Sequence, residues 1–163
     1  MSGSARHLGS LLNAAILSLL VTACAQTVPH LQILPPLEEQ KTLLQSGQLR
    51  VHLMTSRAVL DVWGPPTYKH QEYTQFFTLE SGMYIPFFRV PLGEAPVGWD
   101  NGVIPGKAQF LAYADRGELL GFLEDRLVYR EQLSAEGVHS IGKMWDREAK
   151  LKTQIEKNLS PLP

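Results

Sequence analysis

A single cysteine, Cys24, stands among 163 residues, so no disulfide within the chain supports its fold. No block of like charge occurs, and fifteen basic against sixteen acidic residues leave a net charge of −1. Nucleic-acid binding needs a basic face, so no nucleic-acid partner is expected. The one long apolar run, Leu8 to Val21, is broken by Gly9, Ser10, Asn13 and Ser18. It is shorter than the roughly 20 residues that span a bilayer as a helix. Internal repeats and low-complexity tracts are absent, as is the Gly-x-Ser-x-Gly elbow of serine hydrolases. Beyond His7, the histidines His30, His52, His70 and His139 are far apart and form no His-x-x-x-His pair. They are read as surface residues, and no metal or cofactor is expected.

What is present begins with an address. Met1 to His7 carry one arginine and no acid, the apolar run follows, and Val21-Thr22-Ala23-Cys24 closes it. This order resembles a bacterial lipoprotein signal, in which an aliphatic residue and two small ones precede the cysteine that becomes the lipidated N-terminus. Residues 1–23 are then a signal peptide and Cys24 the lipidation site, with several acyl chains giving stable membrane anchoring. The residue after Cys24 is Ala25 and not aspartate. For lipoproteins of this kind in proteobacteria, that resemblance implies an outer-membrane anchor with the domain facing the periplasm.

Residues 24–35 read as the lipidated N-terminus and a tether. The eleven residues from Ala25 to Pro35 reach at most roughly 36 Å, with Leu31, Ile33 and Leu34 apolar enough to dock. Residues 36–140 read as an α+β domain, and 141–163 as a C-terminal helix and tail. A short helix is expected over Pro36–Ser46, with Glu38 and Glu39 at the positive end of its dipole and Leu37 and Leu44 buried. Leu49, Val51 and Leu53 alternate as a brief extended link. Thr55 or Ser56 can cap a second helix whose Val59, Val62 and Trp63 share a face, stopped by Gly64-Pro65-Pro66.

A small antiparallel sheet of three to five strands should follow. Tyr68–Leu79 and Met83–Val90 form a hairpin about Ser81-Gly82, Pro91–Lys107 is a long loop, and Gln109–Tyr113 is a third strand. Asp115-Arg116-Gly117 and Glu124-Asp125 turn into Leu119–Leu123 and Arg126–Arg130, with a bulge or bend at Gly121. The last element is an amphipathic helix over Ile141–Leu159. Glu148 and Lys152 sit in the middle of its apolar arc as an i, i+4 pair, which suits an edge helix or one awaiting a partner.

Two patterns resemble chemistry and fail on inspection. Ser140-Ile141-Gly142-Lys143 has the Ser-x-x-Lys spacing of penicillin-binding enzymes, but no Ser-Asp-Asn or Lys-Thr-Gly accompanies it. Asn101 to Ala108 approximates a phosphate loop while lacking its first glycine and its final hydroxyl residue. No catalytic set is therefore assigned, and the chain is read as a non-enzyme. The aromatic residues carry more. In Phe76-Phe77 and Phe87-Phe88, strand alternation sends one ring of each pair to either face. Phe76, Phe77, Phe87, Phe88, Trp99 and Trp145 are the candidates for partner contact, the alternative being that the C-terminal helix or the long loop covers the second face.

With the Cys24 signal, Met54-Thr55 and Trp63-Gly64-Pro65-Pro66 in hand, the chain resembles the SmpA/OmlA (BamE-like) lipoproteins. In that family a lipidated cysteine and tether precede two short helices and a small antiparallel sheet, and the second helix has a Met-Thr start and a Leu-Gly-x-Pro stop. Leu53 stands where the family commonly has glycine, and the C-terminal helix is additional. The resemblance implies a two-layer α+β domain with an accessory part in outer-membrane protein assembly. A lipid- or small-ligand-binding lipoprotein is the alternative, which would need an enclosed apolar cavity. An envelope hydrolase using Ser140 and Lys143 is a third.

Overall fold

A computed structural model of the chain describes residues 32–159. Cys24, the signal segment and the first part of the tether lie outside the described residues. The fold is α+β: two short helices, α1 (Leu37–Gln45) and α2 (Ser56–Trp63), a five-stranded antiparallel sheet, and a long C-terminal helix, α3 (Ala135–Leu159). The strands are β1 (Tyr68–Leu79), β2 (Tyr84–Pro86), β3 (Trp99–Tyr113), β4 (Glu118–Leu123) and β5 (Arg126–Gln132), ordered β2-β1-β3-β4-β5. No helix among the described residues is long and apolar enough to cross a membrane.

Helices cover both sides of the sheet, because the strands carry apolar residues on both. Leu111, Leu120, Phe122 and Leu127 pack with Leu44, Met54 and Val59 beneath α1 and α2. On the opposite side Phe76, Tyr84 and Phe110 meet Val138, Ile141 and Trp145 of α3. The two edge strands β2 and β5 also approach each other. Arg89, in the short 3-10 turn Phe87–Arg89 after β2, grips Glu131 of β5 at two points, 2.8 Å and 2.5 Å. Its guanidinium is held above its ordinary pKa by that carboxylate, and the Tyr129 hydroxyl donates to the same carboxylate at 2.6 Å.

The α1–α2 connection differs from the expected alternating link. Residues 51–53 turn, with His52 in left-handed backbone at φ 67°, because its N–H donates to Leu127 O at 2.7 Å. Leu127 N–H donates in return to Met54 O at 2.9 Å, and Thr55 bridges Arg126. The connection thus occupies the outer edge of β5, which would otherwise present unpaired backbone.

Thr55 is the α2 N-cap. Its side-chain oxygen accepts from Ala58 N–H at 3.3 Å, while its own N–H and hydroxyl donate to Gln40 Oε1 of α1. Gln40 is buried, with Nε2 donating to Pro35 O at 2.7 Å. One threonine thus starts a helix and satisfies a buried amide. Thr55→Ala should lower unfolding free energy by about 1–2 kcal/mol, and an unchanged urea midpoint would refute that joint role.

Several expected boundaries are corrected. The second strand is shorter, since Phe87–Arg89 leaves the sheet in a 3-10 turn. The long loop shrinks to the residues between Val90 and Trp99, because Trp99–Lys107 belongs to β3 and pairs with β1. Pro105 is tolerated there since β4 reaches only to Ala108, leaving that part of β3 an edge on one side. The C-terminal helix starts at Ala135, within the segment assigned to the globular domain, capped by Ser134 Oγ accepting from Gly137 N–H at 3.1 Å. Ile33 is fully in solvent and does not dock, while Leu34 is half-buried.

Candidate functional site

Strand length against helix length decides what stays uncovered. Helices of 8–9 residues span about 13 Å, whereas the 12-residue β1 and 15-residue β3 run to about 40–50 Å. α1 and α2 pack on the end of the sheet that carries Leu111 and Tyr113. Along β1 the same face continues through Gln71, Tyr73, Gln75 and Phe77, paired to Gln109, Lys107, Pro105 and Val103. Among the described residues no helix lies over that half: Tyr73 is 72% exposed and Val103 41%.

Three of the six candidate contact residues gather there. Phe77 stacks on Phe87 at 6.2 Å between ring centres and meets Trp99 edge-on at 5.6 Å. Phe87 is 48% exposed. Trp99 is held by its indole N–H donating to Gly102 O at 2.9 Å. Asp100 Oδ1 accepts from the Thr78 hydroxyl and from Gly102 N–H, and these two bonds hold its carboxyl below the usual range. Asn101 occupies left-handed backbone at φ 68° between them. The start of β3 is thereby a locked corner that presents the tryptophan ring beside Phe77.

The other three are corrected. Phe76 and Trp145 are buried, and Phe88 is half-buried with its ring edge-on to Phe110 at 5.1 Å. They fill the side of the sheet that α3 covers, so they hold the helix on and are not offered to a partner. The expected split of Phe76 and Phe77 to opposite faces holds. Phe87 and Phe88 also separate, although a 3-10 turn and not a strand divides them.

Beside the cluster runs an open backbone edge. β2 pairs with β1 only at Phe76, Phe77 and Thr78. On that side Tyr68 to Gln75 have no strand neighbour among the described residues. Sequence reading missed part of this edge, because the expected second strand, Met83–Val90, would have run along β1 as far as Glu72.

The remaining expectations fare unevenly. Ser140 and Lys143 are both exposed on α3, beside an open groove of about 470 Å³ shared with Tyr68, Glu136 and His139. No hydrogen bond joins Ser140 to Lys143 among the described residues. A second open groove of about 460 Å³ is lined by Tyr73 and Ala108 together with polar and charged residues, including Gln71, Lys107 and Glu124. Neither is the enclosed apolar cavity that a lipid carrier needs. His52 and His70 are not surface residues: His52 is buried against Tyr84, and His70 lies between aromatic rings. No protein family, curated protein or solved structure matches the chain.

Proposed function

We propose that this protein is a lipid-anchored, non-enzymatic contact module of the outer membrane, tethered through Cys24 and serving as an accessory or scaffold in an envelope protein complex. The aromatic cluster of Phe77, Phe87 and Trp99, on the half of the sheet that no described helix covers, carries this reading. Exposed Phe87, with half-buried Phe77 and Trp99 against it and Tyr73 and Val103 alongside, supplies the aromatic residue types that dominate protein interfaces. The adjacent free edge of β1 offers backbone donors and acceptors to an extended segment, the geometry of strand addition. The partner is accordingly a protein that presents an extended, apolar-rich strand, and assembly of outer-membrane proteins is the process the family resemblance suggests.

The test is a mild-detergent pull-down of the tagged full chain against the double variant Phe77→Ser/Trp99→Ser and against Cys24→Ser. Each aromatic anchor is worth about 2 kcal/mol, so the double variant should retain less than about a tenth of the co-purifying partner. Circular dichroism should show its fold intact. Partner recovery that ignores the double variant defeats the contact surface. Recovery that ignores Cys24→Ser defeats the anchor. Binding to protein-free lipid vesicles that requires Phe77 and Trp99 would reassign the cluster to the membrane.

A further inference from the structure

We infer that His70, Glu72 and Glu148 form a binding site for a divalent transition metal, Zn²⁺ by its ligand chemistry, which fastens α3 to the sheet. His70 and Glu72 are two apart on β1 and so project to one face. Trp145 and Glu148 are three apart on α3, one turn along the same side. Docking of α3 lays the Trp145 ring parallel on His70, 5.0 Å between centres and 8° between planes. Phe110 stacks on His70 as well, at 6.4 Å and 23°. The imidazole plane is therefore fixed, and the Glu148 carboxylate is brought to it.

The ligand atoms of the three residues all lie within 4.8 Å of one another, and each residue is half-buried. His70 Nε2 is shut from solvent and has no hydrogen-bond partner among the described residues. The Glu72 carboxylate is 3.6 Å from it, beyond hydrogen-bond length. Two ligands on one tetrahedral Zn²⁺ are roughly 3.3 Å apart. Small rotations of the two glutamate side chains close the set to that span. Neither glutamate is paired with lysine or arginine among the described residues. Glu148 makes no ion pair with Lys152 among the described residues, although its sequence spacing suggests one. Two carboxylates held this close repel each other, and a divalent ion between them reverses the sign of that interaction.

The donor set selects the metal. An imidazole nitrogen disfavours Mg²⁺ and Ca²⁺, which take oxygen ligands, and suits Zn²⁺. Three protein ligands leave a position for water, so the site is three-coordinate from the protein side. Its place gives it a consequence. Trp145 is the last residue of α3 that is fully buried, and every residue from Ala149 to Leu159 is exposed. A metal at Glu148 ties the helix down where it leaves the sheet, and so governs how the projecting half with Leu151 and Ile155 is held.

The experiment uses the detergent-solubilised full chain, stripped with EDTA and titrated with ZnCl₂ by calorimetry, then with CoCl₂ by visible absorption and tryptophan fluorescence. One saturable equivalent of Zn²⁺ is expected, with a higher melting temperature. Co²⁺ should give the d–d bands of a low-coordinate site and quench Trp145, a signal that Trp145→Phe removes. Glu148→Gln should weaken Zn²⁺ by more than about 10-fold, the least that losing even an outer-shell partner can cost. His70→Gln should abolish it, while Glu136→Gln, an exposed carboxylate on the same helix, should leave it unchanged. No saturable equivalent at a hundredfold molar excess of Zn²⁺ would overturn the site. Binding that persists in both His70→Gln and Glu148→Gln would overturn it equally, by locating the metal elsewhere.

Discussion

Phe110→Ala should destabilise the protein by about 3–5 kcal/mol, the largest effect expected of any single substitution here. Phe110 is fully buried in the C-terminal part of β3, the middle strand of the sheet, paired to His70 of β1 and Gly121 of β4. Its ring contacts those of Phe76, Phe88, His70 and Trp145, and so joins the sheet, the 3-10 turn and α3. Gly121 is what makes room for it, since a Cβ there would stand 3.0 Å from Phe110 Cε1. Truncation to alanine removes the shared partner of four rings that cannot all close on the space. Domain stabilities are on the order of 5–15 kcal/mol, so a large share of folding free energy is at stake. Guanidinium unfolding of the variant reads it directly, and a loss below about 1 kcal/mol would mean the ring is not the keystone described.

Gly142→Val should cost about 1–3 kcal/mol by overpacking. Helix propensity alone gives the opposite sign, because valine is a better helix former than glycine. The structure reverses it: a Cβ on Gly142 would stand 2.5 Å from three atoms of the Tyr68 ring. Tyr68 cannot simply turn aside, as its hydroxyl lies 2.9 Å from His139 Nδ1 on the preceding turn of α3. Helix and strand must separate to admit the side chain. The same substitution in a Tyr68→Ala background should be nearly neutral, giving a coupling of at least about 1 kcal/mol in the double-mutant cycle. Additive losses would show that the glycine serves something other than close approach.

The chain's punctuation was legible in advance because turn chemistry is local. Gly64, Gly82 and Gly117 take positive φ where stops and turns were expected, and Glu124 and Asp125 do so in the two-residue turn between β4 and β5. The bulge at Gly121 was legible for the same reason, and register does shift between Gly121 and Phe122. Thr55 caps α2, and Val59, Val62 and Trp63 form its packed side. By contrast, Trp99–Lys107 read as a loop because its proline and glycines suppress strand propensity. Pairing with β1 overrides that suppression, a long-range effect that no window on the sequence contains. The first turn of α3 carries Gly137, whose poor helix propensity obscures the start, although Val138 is in period with Ile141 and Trp145.

From the sequence alone come the order of elements, the two-sided aromatic pairs and a lipoprotein-like start that ends at Cys24. These are properties of neighbouring residues, and neighbours suffice to specify turns, caps and alternation. Which aromatic ring is core and which is surface depended on where α3 docks. Phe76 and Trp145 went inside, while Phe87 stayed exposed with Phe77 and Trp99 half-buried beside it, because the helix pair is shorter than the strands it covers. Glu148 stood out on the helix arc as a charge in the wrong place. Only the approach of α3 to β1 set it beside His70 and Glu72, since the distance between residues 72 and 148 is a property of packing and not of spacing along the chain.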